Sequence, residues 1–225
     1  AGGWSDRGWI AMADLKGRLS TGISQLDERL GGGLLPGTLT VSVGSTGIGK
    51  TQLGLQFAQA GTTQEGRPGI LFDMSSRGDS QHHAEYSARM FGRELNVVVP
   101  RDRVELDDFF DANRSMGDYL HIFNQAGRRV SRRDLDFDQW QDWQAELTRR
   151  LNASIAFFYG NFVRGVRRAV VDGLEPVDRP SDSIQIELFE YVYHQILRKD
   201  PEWVARDLFR EHYRANADAI ARHTY

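Results

Sequence analysis

Residues Gly44-Ser45-Thr46-Gly47-Ile48-Gly49-Lys50-Thr51 carry the pattern G-x-x-x-x-G-K-T. The three glycines let the backbone curl so that several N–H groups converge on an anion, where a Cβ would interfere. A helix starting just behind them adds the positive end of its dipole. Lys50 can reach the β- and γ-phosphates of a nucleotide as a point charge, and Thr51 can place its hydroxyl on Mg²⁺. A plain glycine-rich turn would explain the glycines but not the adjacent Gly-Lys-Thr. Far along the chain, Val166-Arg167-Arg168-Ala169-Val170-Val171-Asp172 reads as an apolar strand that ends in an acid. A carboxylate at the end of a buried strand beside such a loop holds Mg²⁺, usually through water. The candidate nucleotide site is therefore Gly44, Ser45, Thr46, Gly47, Ile48, Gly49, Lys50 and Thr51, with Thr51 and Asp172 as metal ligands. ATP with Mg²⁺ is the expected ligand, although no motif reads the base.

These residues need a frame. Thr38 to Val43 alternates and is β-branched, which predicts a strand feeding the loop. Gln52 to Ala60 places Leu53, Phe57 and Ala60 on one helical face, with Gly61 as a stop. Further strands are expected near 70–73, 119–123 and 168–172, and a short one at Leu95 to Val99. Helices are expected over 80–92, within 101–117, along the face Phe137, Trp140, Trp143, Leu147, Leu151 and Ile155, from 181 to 199, and from 200 to 221. A short helix from Ser24 to Leu30 has Ser24 as cap, Asp27 in capping-box position and Gly31 beyond it. His82 and His83 are adjacent, diverge by roughly 100° on a helix, and read as surface residues. The result is an α/β fold, a mostly parallel sheet with helices on both faces.

The stretch Leu19-Ser20-Thr21-Gly22-Ile23-Ser24-Gln25-Leu26-Asp27-Glu28-Arg29-Leu30-Gly31-Gly32-Gly33-Leu34-Leu35-Pro36-Gly37, followed by an apolar strand and the phosphate loop, resembles the RecA-like P-loop ATPases. It is nearest the KaiC-like branch, to which the RadA-type recombinases are related. The resemblance implies rings or filaments of identical subunits with nucleotide between neighbours. It also implies a catalytic glutamate, or two, just past the strand at 70–73. Serine stands there instead, at Ser75 and Ser76. A serine hydroxyl is no general base at neutral pH and carries no charge to orient a water. Asp73, Asp79 and Glu85, close by in sequence, and Glu175, three residues past Asp172, are the carboxylates that could substitute. The family pattern continues with further strands and a basic finger after the acid-ended strand. None is visible here, so the chain reads as truncated on its C-terminal side, a fragment or a shortened relative. Residues 1–18 read as a tail or arm, and 19–225 as the nucleotide-binding domain.

Composition narrows the partners. The 225 residues carry a net charge of −3 and no cysteine, which excludes disulfides and thiolate chemistry and fits the cytoplasm. No stretch has the length of a signal peptide's apolar core or of a membrane span. The basic cluster from Gly127 to Arg133 could face nucleic acid, but acidic residues follow at once and no basic field surrounds it, which favours a solvated or subunit-facing turn. A protein partner, including further copies of the chain, is the stronger expectation. Two functions follow from different classes. One is nucleotide binding with weak or absent hydrolysis, in a regulatory or assembly role. The other is an active motor or recombinase that uses a substitute carboxylate and binds DNA through arginines at 128–133. A scaffold without nucleotide is disfavoured by intact Lys50, Thr51 and Asp172.

Overall fold

The computed structural model describes residues 17–75, 82–98, 115–123, 136–162, 164–174 and 184–198. In chain order these give α1 (Ser24–Arg29), α2 (Lys50–Glu65), β1 (Ile70–Asp73), α3 (His83–Phe91), β2 (Tyr119–His121), α4 (Phe137–Phe162), β3 (Ala169–Asp172) and α5 (Ile184–Val192), which runs on into a π-turn, Tyr193–Leu197. The basic cluster at 127–133 and the helices expected within 101–117 and 200–221 fall outside the described residues, or almost wholly so, as do Ser76, Asp79 and Glu175.

The three strands form one parallel sheet in the order β2-β1-β3. Parallel pairing needs crossovers, and the helices between the strands supply them. Strand alternation sorts the side chains into two layers. Ile70 and Phe72 point to one face, where they pack with Leu120, Ile122 and the α4 residues Phe157 and Phe158; Leu188, Val192 and Ile196 close that core from α5 and its π-turn. Leu71 points to the other face and meets Leu55 and Ala58 of α2. The α/β class with helices on both faces is as expected. All four β1 residues are buried, so the strand reads as a continuous apolar run that ends in Asp73. No helix of the described residues is long and apolar enough to cross a membrane.

Several local expectations are corrected. The strand foreseen at 38–43 does not form. That segment has no regular structure, with Leu39 50%, Val41 69% and Val43 90% exposed. Alternation supplies propensity only; a strand exists by pairing. The edge of β3 away from β1 carries no partner strand among the described residues. Helix α2 runs through Gly61 and stops at Gly66, whose φ of 74° suits the left-handed cap. Its buried stripe is Leu55, Ala58 and Gly61, shifted by one or two positions from the expected Leu53, Phe57 and Ala60. Gly61 is needed there because a Cβ would sit 2.6 Å from the Arg67 carbonyl and 3.1 Å from Arg168 Cδ. In α1 the cap position is Ile23 and no side chain caps it. Asp27 instead reaches back, taking hydrogen bonds from the Ser20 hydroxyl at 2.5 Å and from the Thr21 amide and hydroxyl at 2.7 Å each. The stretch from Leu95 contributes only an isolated bridge, Val97 to Tyr119.

Arg168 ties these parts together. It is 1% exposed, one of the largest fully buried side chains. Its guanidinium donates to Glu65 at 2.9 Å, to the Ser20 carbonyl at 2.6 Å, to the Phe57 carbonyl at 2.9 Å, and to Gln64. It also lies over the Phe57 ring, 4.6 Å from its centroid. One side chain next to β3 thereby fastens the Ser20-Thr21 segment to the C-terminal half of α2.

Candidate functional site

The phosphate-loop residues lie at the surface and lead directly into α2. Gly47 and Gly49 have φ of 82° and 97°, which only glycine adopts readily, and a Cβ on Gly47 would meet nothing within 4 Å. Gly49 is the residue before the first turn of α2. Lys50 folds back on its own loop, donating from Nζ to the carbonyls of Gly44 and Ser45 at 2.8 Å each. Thr51 points the other way, and its Oγ1 donates to Asp172 Oδ2 at 2.7 Å. Two residues far apart in sequence thus meet where the N-terminus of α2 lies beside the carboxyl end of β3.

Three further side chains, from other elements, complete the cluster. Asp73 stands directly opposite Asp172 in the β1–β3 register, on the same face of the sheet. It is 2% exposed and accepts from Tyr119 Oη at 2.8 Å and from the Ser75 amide at 2.8 Å. His83 is the first residue of α3 and lies between the two acids. Its Nε2 donates to Asp172 Oδ2 at 3.0 Å, and its Nδ1 lies 3.4 Å from Asp73 Oδ2. The expectation of a surface histidine holds for His82 but not for His83, which is 3% exposed. The buried stripe of α3 is His83 and Ser87; both are polar, so hydrophobic periodicity could not reveal it.

The charges settle one another. Burial alone would raise both carboxyls, but in each case hydrogen bonds and the nearby imidazole outweigh it. For Asp73 these are His83, His121 and the Ser75 amide; for Asp172 they are His83, Thr51 and the Gly173 amide. Both acids are held below the usual carboxylate range. Burial would lower His83, yet its contacts with Asp172 and Asp73 prevail and push it up to about 9. Burial first, and then Asp73, push Tyr119 up, so it stays a neutral donor.

A pH dependence of stability follows. His83 is raised, so its contribution is complete below its unfolded pKa of 6.5 and is lost as pH rises through about 9. The two acids are depressed, so theirs is complete above 3.8 and is lost as pH falls through their lowered values. Chemical denaturation of the ligand-free protein should therefore show this contribution at its fullest between about pH 4 and 6.5. Stability should fall by about 2–3 kcal/mol by pH 10 relative to a His83→Gln variant measured in parallel. Equal slopes for the two proteins above pH 7 would contradict this.

Ser75 is 1% exposed. Its Oγ lies 3.3 Å from His121 Nε2, and the same nitrogen donates to the Ser75 carbonyl at 2.8 Å. Because both contacts use one ring nitrogen, Ser75 and His121 do not form a nucleophile–base–acid relay with Asp73. Ser75 leaves the position without a carboxylate, as the sequence indicates. Asp73, two residues before it, has both oxygens engaged, by the Ser75 amide and by Tyr119.

The donor set can be tested against the group it would hold. Thr51 and Asp172 offer a hydroxyl and a carboxylate oxygen, hard donors suited to Mg²⁺, which takes few protein ligands and completes its shell with water and phosphate. Among the described residues no three His, Asp or Glu side chains group as a site that could hold a metal by themselves. The open space at Gly47 and the helix start at Lys50 suit a phosphate. The residues present therefore fit a metal–nucleotide.

Comparison with known proteins agrees. The family model "ATPase: KaiC" matches residues 19–133, just over half of the chain. Circadian clock oscillator protein KaiC 1 of Synechocystis sp. is 44% identical over 105 residues, 47% of this chain and 20% of that protein. The KaiC of Rippkaea orientalis is 42% identical over 105 residues, 47% of this chain and 19% of its own. Circadian clock protein KaiC2 of Synechocystis sp. is 34% identical over 92 residues, 40% and 15% respectively. The chain thus spans no more than about a fifth of these relatives. No solved structure matches at a significant level. With the phosphate loop, the parallel sheet and the family match in agreement, the chain belongs to the KaiC ATPase family, a branch of the RecA-like P-loop ATPases.

Proposed function

We propose that this domain binds a magnesium–nucleoside triphosphate, ATP, through Gly44 to Thr51 and Asp172, and hydrolyses it weakly or not at all. The observation that carries the reading is the 2.7 Å contact of Thr51 Oγ1 with Asp172 Oδ2 beside the phosphate loop, in a site where Ser75 replaces the water-activating carboxylate. Lys50 supplies positive charge to the outer phosphates once it leaves the Gly44 and Ser45 carbonyls. The loop amides and the start of α2 orient the phosphate chain. Asp172 and Thr51 hold the metal, whose charge neutralises the phosphates. No side chain at position 75 takes a proton from water, so the bound triphosphate persists as a ligand. A stable ligand at a subunit boundary suits a regulatory or assembly role, and self-association into a ring or filament is the family expectation that goes with it.

The test is turnover. Phosphate release from the purified domain at saturating Mg–ATP should lie far below about 1 s⁻¹, the low end of common enzyme rates. Turnover at or above that rate would favour the second reading, an active ATPase in which Asp73 serves as base. Asp73 lies beside Asp172 across the sheet, which favours that reading; its bonds to Tyr119 and the Ser75 amide weigh against it.

A further inference from the structure

The placement of His83 has a consequence for metal loading. Asp172 Oδ2 is the oxygen that Thr51 also contacts, so it faces the place where a cation would lie. In this structure the same oxygen takes a hydrogen bond from His83 Nε2 at 3.0 Å. Two donors thus converge on one carboxylate oxygen from two different helices, α2 and α3. The opposing acid, Asp73, borders the same imidazole at 3.4 Å, and the Tyr119 ring packs against it with centroids 5.2 Å apart. Two carboxylates in register on neighbouring strands repel each other unless a donor or a cation lies between them. His83 fills that role here. Mg²⁺ requires near-ideal octahedral geometry and gives up its waters reluctantly, so a metal shell at Asp172 would have to share an oxygen that already accepts two hydrogen bonds.

The start of α3 has an unusual backbone. His82 precedes it with φ of 47°, the one left-handed residue other than glycine among the described residues. Such a conformation costs on the order of 1–3 kcal/mol and persists only where the surroundings enforce it. No side chain caps the helix there. His83 is 3% exposed, so releasing Asp172 would call for a shift of the α3 start rather than of the side chain alone.

We infer that His83 is a positioning residue that holds the place of the metal: it engages Asp172 when no divalent cation is bound and yields it, with a shift of the α3 start, when the metal–nucleotide loads. Metal at Thr51 and Asp172 and the His83–Asp172 contact exclude each other. The inference rests on the nucleotide-binding reading above and adds a device that reports metal loading to α3.

Binding of a fluorescent ATP analogue, titrated with Mg²⁺ at fixed nucleotide, tests it. The Mg²⁺ concentration for half-maximal binding should fall at least about fivefold in His83→Ala, while metal-free nucleotide binding in EDTA changes less than about twofold. An unchanged or higher Mg²⁺ requirement in a folded His83→Ala protein overturns the inference. Hydrogen–deuterium exchange on the wild-type chain needs no variant and decides the question if His83→Ala does not fold. Adding Mg²⁺ to nucleotide-saturated protein should speed exchange in the peptide spanning His83–Phe91 at least about threefold. No change there overturns the inference with nucleotide binding left intact. Absence of any nucleotide binding to wild type, with or without metal, overturns instead the reading on which it rests.

Discussion

Lys50→Ala should lower affinity for Mg–ATP by about 100-fold or more, and isothermal calorimetry on the folded variant would measure it. The magnitude follows from removing a charged donor to phosphate: hydrogen bonds to charged groups contribute about 1.5–3 kcal/mol each, and about 1.4 kcal/mol corresponds to a factor of ten. The fold should not change. Lys50 Nζ makes its hydrogen bonds to two carbonyls of its own exposed loop, and Gly44 and Ser45 can bond water in its place. Loss of binding without a shift in the thermal midpoint is the expected result. Retained affinity would show that the loop is a glycine-rich turn with a surface lysine.

The largest effect on stability is expected at Arg168. Arg168→Ala should destabilise the domain by about 3–5 kcal/mol in chemical denaturation, the range for breaking a buried pair by removing one partner. The variant leaves Glu65, 2.9 Å from Arg168 Nε in the native protein, without that partner, and strips donors from the Ser20 and Phe57 carbonyls. It also removes the cation over the Phe57 ring. Two regions should loosen together, since one guanidinium joins the Ser20-Thr21 segment to α2. Arg168→Lys should recover little, because an ammonium cannot reproduce the planar fork. A loss below about 1 kcal/mol would mean that the charge contributes no more than an exposed ion pair does.

Features legible in the sequence were those that local chemistry determines. The phosphate loop was visible because its glycines answer a backbone demand and Lys50 and Thr51 a chemical one. Asp73 and Asp172 end short apolar runs, and β1 formed over Ile70–Asp73 as the pattern required. Features set by distant residues were not legible. Gly61 looks like a helix stop until Arg168 is seen passing 3.1 Å from where its Cβ would be. Asp27 looks like half of a capping box until Ser20 and Thr21 fold onto it. Thr38 to Val43 alternates and is rich in β-branched residues, yet pairing is a non-local event and the segment lies exposed. His83 was the most consequential miss. A histidine pair on a short helix reads as surface, and only the opposing Asp73 and Asp172, from two other elements, give it a reason to be buried.

The missing carboxylate changes what the phosphate loop means in this chain. In the proposed reading, grip on phosphate and metal would come from Lys50, Thr51, Asp172 and the loop amides. Cleavage needs a group to position and deprotonate water, and Ser75 faces His121 instead. In the proposed reading, a site that grips phosphate and metal but has serine at position 75 would hold its ligand rather than consume it.

The most direct test is to load the purified wild-type domain with γ-labelled ATP and Mg²⁺, remove free nucleotide by rapid gel filtration, and identify what stays bound over minutes. The account predicts close to one equivalent of intact triphosphate on the protein. Recovery of no bound nucleotide, or its conversion to diphosphate and free phosphate at about 1 s⁻¹ or faster, would contradict it.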